Sequence, residues 1–392
     1  MDALTTPSNW QRVRLGDVGK PCMCKRVMKH QTTRYGEIPF YKIGTFGNTA
    51  DAFISKKLFL EYKAKYSFPK KGDILISASG TIGRAVIYDG KPAYFQDSNI
   101  VWIDNDETLV KNDFLFYAYS NIKWDTEHTT ILRLYNDNFR NTLIPLPPLN
   151  EQIAIANILS DVDRYLYNLD ALILKKEGVK KALSFELLSQ RKRLKGFNQA
   201  WQKVRLGDIC EIGNGGAYET LIVENGDFKL ISLNSIDIDG NLKNTMKRVN
   251  FYDNSLKQDD IVMVLSDVAH GDFLGLCAVI PNNDYVLNQR MGRLRKKNDC
   301  INVLFLRLYI NANQKYFKTQ GQGSSQLNLS KKAIEDFEIP LPSLNEQIAI
   351  ANILSDVDHE IISLKNKKRQ FENIKKALNH DLMSAKIRVL KK

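Results

Sequence analysis

Three stretches hold the side chains of this sequence best suited to chemistry. SASGTIGR at 77–84 sets Ser77, Ser79, Thr81 and Arg84 around Gly80 and Gly83. QGQGSSQLN at 320–328 offers Gln320, Gln322, Ser324, Ser325, Gln326 and Asn328. RMGRLRKK at 290–297 holds five cations, Arg290, Arg293, Arg295, Lys296 and Lys297, and no acid. These residue types suit recognition of nucleic acid. Gln and Asn can pair bidentately with adenine and Arg with guanine, while backbone amides at glycines can meet phosphates. Interleaved Met and Leu predict a strand at 290–297, with Arg293 and Arg295 on one face. Plain loops and a solvated strand edge are the alternative for each stretch.

Residues for bond-breaking chemistry are harder to find. The sequence has no G-x-x-x-x-G-K-[ST] phosphate loop, and no Asn-Pro-Pro or Asp-Pro-Pro motif of amino-methyltransferases. GNGG at 213–216 is a lone glycine cluster and a weak cofactor signal. No spaced carboxylate–lysine set of the usual nuclease kind stands out. The five cysteines, Cys22, Cys24, Cys210, Cys277 and Cys300, include one C-x-C and no second pair, which is a poor zinc signal. The chain is therefore expected to be non-catalytic, with no catalytic, cofactor-binding or metal-binding residue of its own.

Net charge is +12 with a pI near 9.2, which suits an anionic partner. The excess is uneven. Residues 1–145 carry 20 basic and 15 acidic groups and residues 196–340 carry 17 and 17. The opening MDALTTPSNW lacks the basic-then-apolar layout of a secretory signal, and no run of eighteen apolar residues occurs. The expected compartment is the cytoplasm.

An internal repeat dictates the elements that position these residues. IPLPPLNEQIAIANILSDVD at 144–163 recurs as IPLPSLNEQIAIANILSDVD at 339–358, differing only at Pro148 against Ser343. WQRVRLGD at 10–17 recurs as WQKVRLGD at 201–208. Between the copies, KKGDILISASG (70–80) matches KQDDIVMVLSD (257–267), and each is followed by a second apolar run, AVIY (85–88) and CAVI (277–280). Alternating β-branched residues bounded by Gly and Asp predict strands. Helices are expected over 112–122 and 301–317, with their aromatics in the core.

After each IPLP the prolines block a helix upstream and Asn150 and Asn345 are expected as N-caps. Ile155, Leu159, Val162, Leu166, Leu169 and Ile173 form a heptad seam, matched by Ile350, Leu354, Val357, Ile361 and Leu364. The pattern falters at Lys176 and Lys368, then resumes as Val179, Leu183 and Leu187, and as Phe371, Ile374 and Leu378. Two rods of this kind should pack on each other, the alternative being that each packs on its own domain, and Asp at 155, 159 and 162 should uncouple the two domains. The fold expected is mixed α/β (α+β): two similar globular domains, 1–145 and 197–340, separated by two long antiparallel helices at 146–196 and 341–392 that form a coiled coil with pseudo-twofold symmetry.

This order of parts resembles the DNA-specificity subunit of type I restriction–modification systems. The residues that carry the resemblance are the duplicated I-P-L-P-x-L-N-E-Q-I-A-I-A-N-I-L-S-D-V-D, GDILISASGTIGRA in the first domain, and W-Q-x-V-R-L-G-D opening each half. It implies two target-recognition domains, each reading half of a bipartite site in double-stranded DNA. The helices would set the spacing and dock two methyltransferase subunits, with motor-nuclease subunits joining. S-adenosylmethionine, ATP and Mg would belong to those partners, with adenine-N6 methylation and ATP-dependent cleavage. The neutral second domain departs from this picture and predicts a weaker or more local hold on DNA. Ser77, Ser79, Thr81, Arg84, Arg290, Arg293, Arg295, Lys296, Gln320, Gln322, Ser324 and Gln326 are the candidate DNA-binding residues. The rival is a non-DNA coiled-coil scaffold bearing two protein-binding domains.

Overall fold

The computed structural model describes residues 9–125, 133–268 and 271–389, so part of the N-terminal opening lies outside the described residues. The chain forms two units, Met1–Ala171 with Asn366–Lys392, and Leu172–Lys365.

In the first unit, Gln11–Arg14 pairs antiparallel with Leu143–Leu146. A four-stranded antiparallel sheet follows in the order Gly19–Met23, Ile100–Asn105, Ile74–Ser77, Ala85–Ile87. A three-stranded sheet runs Phe53–Ile54, Ile38–Tyr41, Tyr94–Phe95, its last pair parallel. The second unit repeats this plan. Gln202–Arg205 pairs with Glu338–Leu341. The four-stranded sheet runs Cys210–Asn214, Met291–Lys296, Ile261–Val264, Cys277–Val279, and the three-stranded one Arg248–Val249, Phe228–Ile231, Tyr285–Leu287. It adds a ladder between Ser266–Val268 and Gln326–Asn328. At the same place the first unit has, among the described residues, the bridge Ser79 to Arg133.

Local sequence explains the shared central strand. ILIS and IVMV are buried at every position, as short unbroken apolar runs between turn signals should be. Asp73 Oδ2 accepts from Lys70 N at 2.7 Å and Asp260 Oδ2 from Lys257 N at 2.7 Å, so an aspartate turn launches each strand. The aromatics of the helices are core: Phe114, Tyr119, Phe305 and Phe317 are fully buried. The helix expected at 301–317 breaks in two, Val303–Ala312 and Gln314–Gln320, because Asn313 (φ −108, ψ 22) leaves the helical region.

The long helices are Leu149–Leu188 and Leu344–Met383, each 40 residues. Each starts one residue before the expected cap. Asn150 and Asn345 lie in the first turn, where Asn150 Oδ1 accepts from Glu151 N at 3.0 Å. In the first unit, Asp163 and Asp170 pair with Lys375 and Lys368 at 2.5 and 2.6 Å, and the rings of Tyr165 and Phe371 lie 4.5 Å apart. In the second unit, Lys176, Glu177 and Lys180 pair with Glu360, Lys365 and Asp358 at 2.8, 2.8 and 2.5 Å. From Asp163 to Asp170 the partner falls from Lys375 to Lys368, and from Lys176 to Lys180 it falls from Glu360 to Asp358, so the segments are antiparallel.

These pairs correct the seam. Val179 is 42% and Ile374 51% exposed, so neither belongs to it. Lysines hold the register instead. Ile173, Lys176, Lys180, Leu183 and Leu187 step by three and four, as do Leu364, Lys368, Phe371, Lys375 and Leu378. The lysine stems lie in the seam while their ammonium heads reach the facing carboxylates. The pattern does not falter at Lys176 and Lys368; a binary apolar reading misses the amphipathic stem.

The helix ends belong to the globular cores. Ile155, Ala156 and Leu159 pack with Leu15, Ile76, Phe114 and Phe139, and Leu382 and Met383 join them. In the second unit Ile350, Ala351 and Leu354 pack with Leu206, Met263, Phe305 and Phe337, joined by Leu187 and Leu188.

Candidate nucleic-acid interface

A buried carboxylate fixes each helix start against its sheet. Glu151 (2% exposed) accepts from Trp10 Nε1 at 3.0 Å and from Arg388 Nε and Nη2 at 2.7 and 3.0 Å. Glu346 (1% exposed) accepts from Trp201 Nε1 at 3.0 Å and from Arg193 Nε and Nη2 at 2.8 and 2.8 Å. The next residue locks the neighbouring loop. Gln152 Nε2 donates to Leu109 O and Pro147 O, and its Oε1 accepts from Lys111 N. Gln347 does the same with Cys300 O, Pro342 O and Asn302 N. The duplicated Trp, Glu and Gln therefore form one internal clamp. Within the repeat, Glu151, Gln152, Ile155 and Leu159 are interior. The arginines were missed, although Arg193 and Arg388 keep the same spacing of 195 as the repeat.

On this frame the first unit builds a cleft. Strand Ile74–Ser77 ends in the glycine loop. Ser77 Oγ donates to Thr81 O and accepts from Arg84 N at 2.9 Å, and Gly83 N donates to Ser77 O at 2.9 Å. Gly83 has φ +83, and a Cβ there would stand 2.1 Å from Trp124 Nε1, so only glycine fits. Arg84 Nη1 donates to Phe46 O at 3.0 Å. The cleft, about 270 Å³, is lined by Ile43, Gly44, Phe46, Ser77, Gly80, Thr81 and Arg84. Of the four residues expected to act here, three meet at the cleft. Thr81 and Arg84 are exposed; the buried Ser77 spends its hydroxyl on the loop. Ser79, also buried, donates to Asn99 Oδ1 at 2.7 Å and so ties the loop to the turn at 96–99.

The second unit distributes its candidates differently. Arg293 and Arg295 share a face of strand Met291–Lys296, as expected, but both are ion-paired. Arg293 Nη2 donates to Glu211 Oε1 at 2.6 Å. Arg295 grips Asp260 with Nε and Nη2 at 2.8 and 2.6 Å, and Lys296 pairs with Asp299 at 2.7 Å. Arg290 is exposed beside Gln289 at the turn before the strand. Facing them, Glu219 accepts from Asn288 Nδ2 at 2.9 Å. Its carboxyl is held below the usual range by a backbone amide, by Asn288 and Gln289, and by the charge of Arg290.

Gln320, Gln322, Ser324 and Gln326 lie around the hairpin into strand Gln326–Asn328, where Gln322 and Asn328 exchange backbone bonds at 3.0 and 2.9 Å. Gln320, Gln322 and Ser324 are exposed and Gln326 is half-buried. Ser266 Oγ donates to Asn328 Oδ1 at 2.6 Å, joining this hairpin to the loop after the central strand. That is the place the glycine loop holds in the first unit. The polar stretches 77–84 and 320–328 thus gather at the same end of their respective sheets.

Two other features of the sequence are closely packed. GNGG is a packing device: a Cβ at Gly215 would stand 2.2 Å from Leu287 O, and one at Gly216 2.3 Å from the Tyr218 ring. Burial pushes the thiols of Cys24 and Cys210 up to about 12, away from the reactive thiolate. Among the described residues, no group of three or more His, Cys, Asp or Glu could hold a metal ion, and no helix is long and apolar enough to cross a membrane.

Comparison with known proteins agrees with this architecture. The type I restriction modification DNA specificity domain matches residues 7–176 and again residues 198–373. A type I restriction enzyme specificity subunit of Methanocaldococcus jannaschii, MjaVIII, is 29% identical over 420 residues, covering 99% of this chain and 95% of the relative. A putative type I restriction enzyme specificity subunit of Haemophilus influenzae is 64% identical over 148 residues, and the match spans 38% of each protein. The crystal structure of the type I restriction–modification S subunit from M. genitalium superposes with a TM-score of 0.63 at 19% identity over 97% of both chains, a likeness of fold. A chain from a structure of type I restriction–modification complex assembly and conformational transition gives 0.57 at 16% identity, covering 97% and 98%. The chain belongs to the DNA specificity subunits of type I restriction–modification systems, and its two copies of the recognition domain fit the reading of a bipartite DNA site.

Proposed function

We propose that residues 1–145 and 197–340 are the two readers, each contacting one half-site, and that the helical segments 146–196 and 341–392 are spacers that set the unread gap and dock partners. The observation that carries this is the duplicated specificity domain on an identical helix entry. In the first reader Thr81 and Arg84 face the duplex from the cleft, with Ser77 and Ser79 shaping the loop. In the second reader Arg290, Gln320, Gln322, Ser324 and Gln326 make the contacts. Arg293, Arg295 and Lys296, paired with acids, hold the strand in place.

The partners are two methyltransferase subunits and, in the larger assembly, motor-nuclease subunits. They bring S-adenosylmethionine, ATP and Mg, together with adenine-N6 methylation and ATP-dependent cleavage, in the cytoplasm. The base to be methylated has to leave the stack, so this chain positions the duplex while a partner extrudes the adenine.

The docking surface is the part of the repeat that the clamp leaves outside. Leu149 and Ile153 are 37% and 44% exposed, and their counterparts Leu344 and Ile348 are 40% and 38% exposed. Identical exposed aliphatics presented twice suit one partner bound twice. The double variant Ile153→Asp, Ile348→Asp is expected to bind DNA like the wild type while losing co-purification with the modification subunit. Co-purification at the wild-type ratio would remove this face from the assembly.

A further inference from the structure

The charge excess of the first globular half has a definite location. The loop after strand Gly19–Met23, residues 25–34, carries Lys25, Arg26, Lys29 and Arg34 with no acid. It lies along the helix Lys56–Lys65. Lys25 Nζ sits 5.1 Å from the Tyr66 ring, and Gln31 Nε2 donates to Tyr62 Oη at 3.4 Å. Lys25, Lys29, Arg34, Lys56, Lys57 and Lys63 are exposed, and none is in an ion pair among the described residues. Of the three acids in residues 25–66, Asp51 pairs with Lys42 and Glu61 with Lys65, leaving Glu37.

The second unit inverts this charge at equivalent positions. In each unit a short 3-10 turn follows the first strand of the four-stranded sheet: Lys29–Gln31 and Glu219–Leu221. In each, a single bridge to the edge strand comes next, Thr33 to Phe53 and Val223 to Arg248. The first residue of the turn is Lys29 in one and Glu219 in the other. The residue after the bridge is Arg34 in one and Glu224 in the other. No counterpart of helix Lys56–Lys65 stands between strands 248–249 and 261–264.

The cationic surface also adjoins the cleft. Arg26 pairs with Asp97 at 2.8 Å, Gln96 Oε1 accepts from Ile43 N at 3.0 Å, and Ser79 reaches Asn99. The turn at 96–99 therefore joins the loop at 25–34 to the glycine loop.

We infer that loop 25–34 and helix Lys56–Lys65 form a grip on the DNA phosphate backbone beside the first half-site, and that the second reader has no such grip. This rests on the DNA-recognition role. Unpaired exposed cations flanking a reading cleft fit a polyanion, and phosphate contacts fix register without carrying sequence information. The two readers thus divide the work: the first supplies much of the salt-dependent hold, and the second contributes polar contacts with little counterion release.

The test is equilibrium binding of the full chain to a random-sequence DNA duplex across a salt series. Compared with wild type are Lys29→Ala, Arg34→Ala, Lys56→Ala, Lys57→Ala combined, and the exposed second-unit set Lys243→Ala, Lys247→Ala, Lys315→Ala, Lys332→Ala, which removes the same charge. All eight side chains are exposed, so melting profiles should match wild type. The grip variant is expected to lower the slope of log K against log salt by up to about 3.6, at about 0.9 per phosphate contact, and the second-unit set by no more than about one. Equal losses from both sets would mean that only net charge matters, and would overturn the inference. So would an unchanged slope in the grip variant while wild type stays salt-dependent. Absence of wild-type binding would instead strike the DNA-recognition role itself.

Discussion

Replacing Arg388 with alanine is expected to cost the first unit about 3 kcal/mol, the usual penalty for stripping the partner from a buried charge. Glu151 is 2% exposed, and its remaining donor is the Trp10 indole. The truncation leaves that carboxylate with one neutral donor in place of a bidentate guanidinium. Arg193→Ala should do the same to Glu346 in the second unit. Hydrogen exchange resolves the two cases, because local opening is read segment by segment. Arg388→Ala should raise exchange at Gln11–Arg14 and Leu143–Leu146 and leave Gln202–Arg205 protected. Adding Glu151→Gln should recover about half of the loss or more, since an amide keeps the acceptor for Trp10 without a buried charge. Wild-type protection in Arg388→Ala would show that the clamp contributes nothing.

Leu159→Asp should be costlier still. The side chain is fully buried in the first unit's core with Leu15, Phe114 and Phe139. Losing a buried leucine costs about 2–5 kcal/mol, and the desolvated carboxylate adds several more, which reaches the whole stability of a typical domain. The triple change at Ile155, Leu159 and Val162 is therefore expected to unfold the first globular half rather than simply uncouple the two domains, the outcome the sequence pattern predicts. Val179→Asp and Ile374→Asp, outside the seam, should each cost less than about 0.5 kcal/mol. Thermal melting separates these predictions, and a Val179→Asp variant as unstable as Leu159→Asp would contradict the corrected register.

What the sequence revealed follows from the range of each signal. The repeat, the central strands ILIS and IVMV and the long helices depend on local patterns, and they stand as expected. Val179 and Ile374 were misplaced because an apolar count cannot see that Lys180 and Lys375 cover the seam with their stems. The ion pairs of Arg293 and Arg295 join residues 82 and 35 apart, Glu211 and Asp260, so the part of the cationic run that reads as a free face is internally neutralised. The grip at 25–34 was hidden for a different reason. Charge summed over 145 residues shows an excess but not its address, whereas a ten-residue window would have found four cations without an acid.

The central claim is that recognition is split between two independent readers. The most direct measurement is genome-wide mapping of methylated adenines in cells that express this chain with its modification subunit, comparing wild type with Thr81→Ala, Arg84→Ala. The account predicts that wild type marks a two-part site and that the variant relaxes bases in one part only, leaving the other part and the gap unchanged. Relaxation of both parts together, or a site in one continuous block, would contradict it.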